Sequence, residues 1–562
     1  MPLKKLPPFA NTNAKLNSLA SDFILEIEGG EVAKGQINSR WTRLESIYRN
    51  QPDATGTTVI EDFPAEHIPL VQPKIDRIID SYIGALRQSK SMVTVIPMDT
   101  AQREAANELQ RGLNAIAEVC KIPRAVRKVT QDSCVAGIGF YYAPFDPKEG
   151  FSFHSIHPND IIITPASYVE IKNAILVGPR YYRTISEINE KQENGEYFGK
   201  PGSITAGDSP DEYASGRDTN FDKTSAEVTS TSSNQSGGKE NDSDPRGVEV
   251  RLGWWYKNLD NTECKWWQVL VAVKQQVMLD IEPWPYSRPP LFDQRAWDEP
   301  IKFWPATSIA QSLQGLQIKY TEAINLFMAG SWYAAIPPTI ITGGQLEKGV
   351  TQFKVGGIYQ QKQGPPIQAQ VIPCAFNGDT FPSIINKIEQ IADAVSGVSA
   401  NGSGQALPGD TTATEATILA GNQDARLKAY INHFCYALEE IFEYIYEVCK
   451  VHPATMRNAY PFLTDKFFEA LGTPVRFEVT GKNPANLPQQ LLQNAELAMT
   501  LAQDPESRIK KDVLTKILID ASNFNSNETL YYSDEEWQQK QEQAQQMMQM
   551  QAMAAGQEGG GQ

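Results

Sequence analysis

Histidine is scarce in this chain, five in 562 residues, and two of the five stand near a carboxylate: His154, His157 and Asp160 in "FHSIHPND". Imidazole and carboxylate are ligand types that zinc takes, but a site needs a consistent third and fourth ligand. The local pattern is strand and turn before Pro158, so these read as strand-end histidines and no metal site is expected. Phosphate chemistry would need a strand, a Gly-rich loop with Lys, and a helix. The nearest approach, "SGGKEN", places Glu240 after Lys239 in a polar run that has neither element. A second Gly-rich stretch, "VSGVSANGSGQALPGDTTATEATILAG" (395–421), holds Gly397, Gly402, Gly404 and Gly409 but no Lys, and lies between two helical patterns. It could be a lid, a phosphate cradle, a linker or a loop that touches something passing by. Neither HExxH nor GxSxG occurs. Trp254-Trp255 and Trp266-Trp267 could stack bases, although alternation in paired strands would put one Trp of each pair in the core and one on the surface. The paired carboxylates Glu439 and Glu440 fall on the polar face of a long helix, where a solvated or inter-subunit face is the default. No catalytic residue and no cofactor are expected; the chain does not read as an enzyme.

The elements that would position such groups are legible in the periodicity. Residues 15–50 read as short helices. Residues 66–90 carry Val71, Ile75, Ile78, Ile79, Ile83 and Leu86 at helical spacing. A strand, "SMVTVIPM", precedes a helix over 100–120 with Ala105, Leu109, Leu113, Ile116 and Val119 on one face. Another helix and the strands "GFYYAPF", "FSFHSI" and "DIIITP" follow. Residues 187–247 are rich in Gly, Ser, Asp and Thr and predict a mobile surface insertion. "VEVRLGWWYKN" and "KWWQVLVAVKQQVMLDIEP" read as paired strands.

Pro305 precedes a helix over about 307–335, roughly 43 Å long, with Ile309, Leu313, Leu316, Tyr320, Ile324 and Phe327 stepping by three and four. "IPPTIITGG" stops it, and short strands within 337–378 make a small β-rich module. A second helix opens with Asp379 or Thr380 as N-cap and Pro382 in its first turn; Ile384, Ile388, Ile391 and Val395 make its face, and Gly397 ends it. Thr412 and Glu415 form a capping box for the strongest helix, about 413–449 and roughly 55 Å long. A strand, "PVRFEVTG", then helices over 486–523 and a Gln/Met-rich tail complete the chain.

Composition sets the bounds. The chain is 41% hydrophobic and 21% charged, ordinary for a globular protein, and its length suggests three or four domains. The formal net charge of −16 argues against a tight, sequence-independent DNA binder, though not against a protein past which DNA slides. The six Cys are scattered without CxxC spacing and read as reduced thiols with structural burial. No signal peptide and no membrane span are expected.

The order of elements is more informative than any motif. Two long helices flank a small β module as a hairpin, with apolar faces that such a hairpin alone cannot bury. Identical copies around a closed ring would cover them. "FWPATSIAQSLQGLQIKYTEAINLFMAGSWYAAIPPTII", then "VSGVSANGSG" and "TATEATILAGNQDARLKAYINHFCYALEEIFEYIYEV", resemble the portal protein (head–tail connector) of tailed double-stranded DNA bacteriophages, podovirus-like. "QPKIDRIIDSYIGALRQSKSMVTVIPMD" and "SIHPNDIIITP" are similar to that family's N-terminal wing, and the likeness covers most of 35–480.

The resemblance implies an α+β portal fold: an α/β wing, two-helix stem, small β-rich clip, long wing helix and helical C-terminal crown, in a ring-shaped homo-oligomer of about twelve subunits. Residues 1–304 would be wing, with the insertion 187–247; 305–336 and 379–396 the stem helices; and 337–378 the clip. Residues 397–411 would be the tunnel loop, 412–482 the long wing helix and wing strand, and 483–562 the crown and tail. The Gln/Met tail is too short for the extended C-terminal barrel of the longest family members, and the insertion has no counterpart. Asn401, Ser403, Gln405, Leu407 and Asp410 would face passing DNA. Lys348, Lys354, Gln361, Lys362 and Gln363 would meet the motor and adaptor. Implied partners are further copies of the chain, the terminase large subunit, a tail adaptor or head-completion protein, and the major capsid and scaffolding proteins. Double-stranded DNA would pass through the channel, and no membrane is involved. The implied place is the portal vertex of the virion, and the host cytoplasm during assembly. The alternatives are a nucleotide-dependent enzyme using the Gly-rich loop 397–411, and a cellular structural scaffold.

Overall fold

In the computed structural model the described residues run from 4 to 479, apart from 5, 11, 52–65, 88–90, 100–101, 168–169, 205–246, 298–302, 306, 338, 343–357, 361–367, 372–379 and 399–412. Helix α1, Asn13–Tyr48, is one continuous element of 36 residues, capped by the Thr12 hydroxyl accepting from the Lys15 N–H at 3.4 Å. This corrects the expectation of short helices. Gly29 and Gly30 lie mid-helix, and tertiary contact overrides their low propensity. A Cβ on Gly30 would sit 2.7 Å from Ile162 and from the Thr164 hydroxyl, so the glycine lets the helix lie directly on a strand. Thr164 donates to the Glu26 carbonyl at 2.8 Å, and Trp41 Nε1 donates to the Ala136 carbonyl at 2.8 Å.

Helices α2 (Val71–Arg87), α3 (Arg103–Val119) and α4 (Ile122–Ala136) follow, with strand β1 (Val93–Pro97) between α2 and α3. All six apolar positions predicted for the first of these are buried. On α3, Leu109, Leu113 and Ile116 are buried but Val119 is exposed, because the helix ends there and turns away through Cys120. Strands β2 (Ile138–Tyr142), β3 (Phe145–Asp146), β4 (Gly150–Phe151), β5 (His154–Ile156), β6 (Ile161–Thr164) and β7 (Leu176–Thr184) precede α5 (Ile185–Glu193). Then come β8 (Gly247–Lys257), β9 (Lys265–Ala272), β10 (Val277–Pro283) and β11 (Leu291–Arg295).

The start of the stretch predicted to be mobile is ordered. Residues 187–204 are folded: α5 has a full capping box at Thr184 and Glu187, and Ile188, Tyr197, Phe198 and Ile204 are buried. The polar composition of the whole stretch hid this apolar start. Residues 205–246, with Lys239, lie outside the described residues.

The main sheet is antiparallel in the order β10-β9-β8-β7-β6, with Trp255 opposite Trp267 and Trp254 opposite Gln268. All four tryptophans of the two pairs are buried, which corrects the one-in, one-out expectation. The reason is that both faces of the sheet are covered. Trp255 and Trp267 pack with Phe23 and Ile27 of α1, whereas Trp254 and Trp266 pack with Trp41, Ile138, Phe303 and Trp304.

Helix α6 (Ile309–Ala335) is capped by the Ser308 hydroxyl accepting from Gln311 N–H at 3.0 Å. A three-stranded sheet in the order β13-β12-β14 (Ile358–Gln360, Thr339–Thr342, Gln368–Val371) follows, parallel on one side and antiparallel on the other. Helix α7 (Thr380–Ser396) runs back, and α8 (Ala413–Val451) is the longest element. Asp379 and Thr412, with the capping box expected there, lie outside the described residues. Helices α9 (Pro453–Ala459) and α10 (Asp465–Ala470) lead to β15 (Val475–Val479), which pairs antiparallel with β1.

One hydrophobic core takes side chains from α2, α3, α4, α6, α7 and α8, so the described residues form one unit (Met1–Lys482) rather than several domains. Residues 483–562, where further helices and a tail are expected, are not described. Among the described residues no helix is long and apolar enough to cross a membrane.

Candidate functional site

The candidate site is the α6–α7 hairpin and the two roots of the segment that joins α7 to α8. The upper part of α6 is tied to the rest of the fold by buried polar groups. Gln317 is fully buried; its Oε1 accepts from the Leu70 and Val71 N–H groups at 2.7 and 3.1 Å, and its Nε2 donates to the Ile68 carbonyl at 2.9 Å. One side chain thus satisfies amides at the start of α2 that have no partner within that helix. Asn325 Oδ1 accepts from Glu66 N–H at 2.9 Å, one helical stretch further along. The Tyr320 hydroxyl donates to Glu389 of α7 at 2.8 Å, and Lys74 of α2 pairs with Asp393 of α7. Burial, and then the bond to Glu389, push the Tyr320 phenol up to about 12.

Beyond Asn325 the character of the hairpin changes. Leu326, Met328 and Trp332 of α6, Ile336 just after it and Ile384 of α7 are exposed, Trp332 by 49%; Ile391 is exposed too, although it lies between Glu389 and Asp393 of the fastened stretch. The face predicted for α7 is therefore rotated. Ile385, Ile388, Ala392 and Val395 meet the core, while Ile384 and Ile391 point away. The helix has apolar residues on more than one stripe, so periodicity alone does not choose which stripe meets α6. Leu326 and Trp332 lie off the stripe that predicted α6, and an apolar residue off the inward stripe was the available signal for this exposed surface.

The root of the joining segment on α7 is firmly built. Ser396 and Val398 are buried, and Gly397 takes φ +75, as expected of a helix-ending glycine. Gly397 N–H donates to the Asp393 carbonyl at 2.9 Å. Arg426 of α8 lies over this glycine: Nη1 donates to the Ala394 carbonyl at 2.9 Å and Nε to the Tyr430 hydroxyl at 3.0 Å. Sequence reasoning did not single out Arg426, since one cation on a long helix carries no spacing signal. The predicted loop residues Asn401, Ser403, Gln405, Leu407 and Asp410 all lie outside the described residues, as do Lys348, Lys354, Gln361, Lys362 and Gln363.

The joining segment leaves a helix at Ser396 and reaches a helix at Ala413, which is not the strand-to-helix frame of a phosphate cradle. The other candidate groups are structural in their contacts. His157 Nδ1 accepts from Asn159 N–H at 3.2 Å as the cap of a short turn, and His154 sits beside the Tyr142 ring. Glu440 accepts from Arg288 Nη2 at 2.9 Å and Glu439 from Val479 N–H at 3.4 Å, so these carboxylates fasten the β10–β11 connection and β15 to α8. Cys134, Cys435 and Cys449 are buried, but Cys264 is exposed in the β8–β9 connection, against the expectation of general burial. Cys374 is not described.

Residues 145–469 match the family model for the phage SU10 portal protein, more than half of the chain, spanning the main sheet, the hairpin and α8. The chain belongs to this phage portal family. Residues 59–165 also match the model for P22-like portal proteins, which places α2 through β6 in the same kind of protein. No curated protein matches the chain. Portal families are structural rather than enzymatic, and the α+β fold agrees with a portal protein.

Proposed function

We propose that this portal protein assembles as a homo-oligomeric ring, about twelve copies around an axial channel, at the unique vertex of the capsid. The observation that carries this is the hairpin: its upper part is fastened to the core, while Leu326, Met328, Trp332, Ile336, Ile384 and Ile391 stay exposed. A copy on each side would bury them. In this reading residues 1–304 are wing, 305–336 and 379–396 the stem helices, 337–378 the clip, 412–482 the long wing helix and strand, and 483–562 the crown. The segment 397–411 faces the channel, with Asn401, Ser403, Gln405, Leu407 and Asp410 nearest to DNA. It carries no Lys or Arg, and a lumen poor in cations lets DNA pass without counterion-release binding. The ring serves genome packaging by the terminase motor, DNA retention, tail attachment and ejection, and the chain itself does no chemistry. Lys348, Lys354, Gln361, Lys362 and Gln363 contribute to docking of the motor and adaptor, with capsid and scaffolding proteins as further partners.

Electron microscopy of the purified protein tests the reading. A ring with a central hole is expected, and monomers or dimers at all concentrations would refute it. Reversal of Lys348 and Lys354 to Glu should weaken terminase docking and leave rings intact; unchanged docking would remove those lysines from the interface.

A further inference from the structure

The α7 root of the segment between α7 and α8 is held to the body of α8 by one side chain. We infer that Arg426 is a latch: a positioning residue that fixes where the chain leaves α7 against the body of α8. The inference rests on the portal reading only for what the latch would serve, the setting of a channel-facing segment; the latch itself stands on the contacts of described residues.

Three features of the geometry support it. First, Arg426 lies almost four turns into α8, which starts at Ala413, and reaches back across 32 residues to the Ala394 carbonyl at 2.9 Å. That carbonyl belongs to the last turn of α7, where backbone acceptors lack helical partners and a cation interacts favourably with the helix end. Second, the stem of Arg426 covers Gly397. A Cβ added there would stand 3.0, 3.2 and 3.4 Å from Cβ, Cγ and Cδ of Arg426. The helix-ending glycine is thus needed for its φ of +75 and for the close pass of the arginine. Third, the guanidinium is oriented from behind. Nε donates to the Tyr430 hydroxyl at 3.0 Å, and the Tyr430 ring packs tilted at 43° against that of Trp297, centroids 5.9 Å apart; Trp297 Nε1 donates to the Thr307 hydroxyl at 3.0 Å. Thr307 immediately precedes Ser308, the cap of α6. The contacts Ala394–Arg426–Tyr430–Trp297–Thr307 therefore run from the end of one hairpin helix to the start of the other.

A lysine ammonium lacks the rigid planar fork that holds these two acceptors in a fixed geometry. A latch of this kind makes movement of α6 against α8 felt at the root of the joining segment.

Hydrogen–deuterium exchange on the full chain, assembled as it is purified, supplies the test. In Arg426→Ala the amides of 394–398 should exchange about fivefold faster, the ratio one net hydrogen bond supports. Those of the buried part of α8, 434–448, should be unchanged, and the melting temperature and assembly state should stay those of the parent. Arg426→Lys should fall between parent and Ala. Trp297→Phe, which removes the bond to Thr307, should raise exchange at 394–398 less than Arg426→Ala, and the two changes together should not add. Unchanged exchange at 394–398 in Arg426→Ala would overturn the latch. So would an equal rise along 434–448, which marks general loosening, or full additivity with Trp297→Phe, which removes the relay. Micrographs of the same samples report separately on the ring, so a failed latch and a failed portal assembly are told apart.

Discussion

The main sheet and the α6–α7 hairpin are built from similarly apolar sequence and end in opposite states. In the sheet, Trp254 and Trp255 are each 1% exposed although they are neighbours in one strand, because α1 covers one face and the segment around Phe303 and Trp304 covers the other. In the hairpin, Trp332 remains half in solvent with no element of the chain over it among the described residues. The sheet completes its burial within one chain; the hairpin does so only for its upper part. An apolar side chain left exposed on a well-formed helix is a statement about neighbours rather than about folding.

The comparison breaks most sharply at Trp255. Trp255→Ala should cost about 3–5 kcal/mol, the range for emptying a buried aromatic site, measured by urea denaturation of unassembled chain. A cost under about 1 kcal/mol would mean the sheet is not sealed by α1. The seam between α1 and the sheet should show the next effect. Gly30→Ala presses a methyl group against Ile162 and Thr164 and should cost about 1–3 kcal/mol. Gly29→Ala, with nothing within 4 Å, should instead stabilise by about 0.5–1 kcal/mol. Equal effects at the two glycines would show that α1 does not lie on β6.

Trp332→Ala is the opposite experiment. The unassembled chain should keep its stability within about 0.5 kcal/mol, while the concentration needed for assembly rises at least about tenfold, a loss of about 1.4 kcal/mol per contact. Sedimentation across a dilution series reads this. A stability loss like that of Trp255→Ala would place Trp332 in the core of its own chain and remove the support it gives to a ring.

Much of this was legible in sequence, and the failures share a cause. Helix α2, with Val71, Ile75, Ile78, Ile79, Ile83 and Leu86 all buried, follows from spacing because only one stripe of it is apolar. Helix α7 is apolar on more than one stripe, so its existence was readable and its rotation was not. Continuity of α1 through Gly29-Gly30 depends on a strand more than a hundred residues away, which no local window contains. The burial of both tryptophans in each pair depends likewise on layers from distant segments. The family was legible from the order of elements, and the match over 145–469 agrees with it. Arg426 was not, since its meaning lies in the distance to Ala394 rather than in any pattern.

The smallest effect tests the boundary between the fastened and the open part of the hairpin. Tyr320 is raised to about 12, chiefly by burial between α6 and α7 and then by its bond to Glu389. An unfolded tyrosine loses its proton near 10. The folded chain keeps the proton over the window in which the unfolded chain has lost it, so this stabilisation is complete below pH 10 and is lost as pH rises through 12. Tyr142 and Tyr286, also raised to about 12 by burial, add to the same slope. Tyr320→Phe should cost about 1 kcal/mol at neutral pH for the lost hydrogen bond and should make the fall between pH 10 and 12 shallower. Phenolate absorbance then separates the two halves of the hairpin. If the upper half is held as described, the difference between parent and Tyr320→Phe spectra titrates near 12; a difference that titrates near 10 would mean that α7 does not seal Tyr320, and that the open character of the lower hairpin extends up to the core.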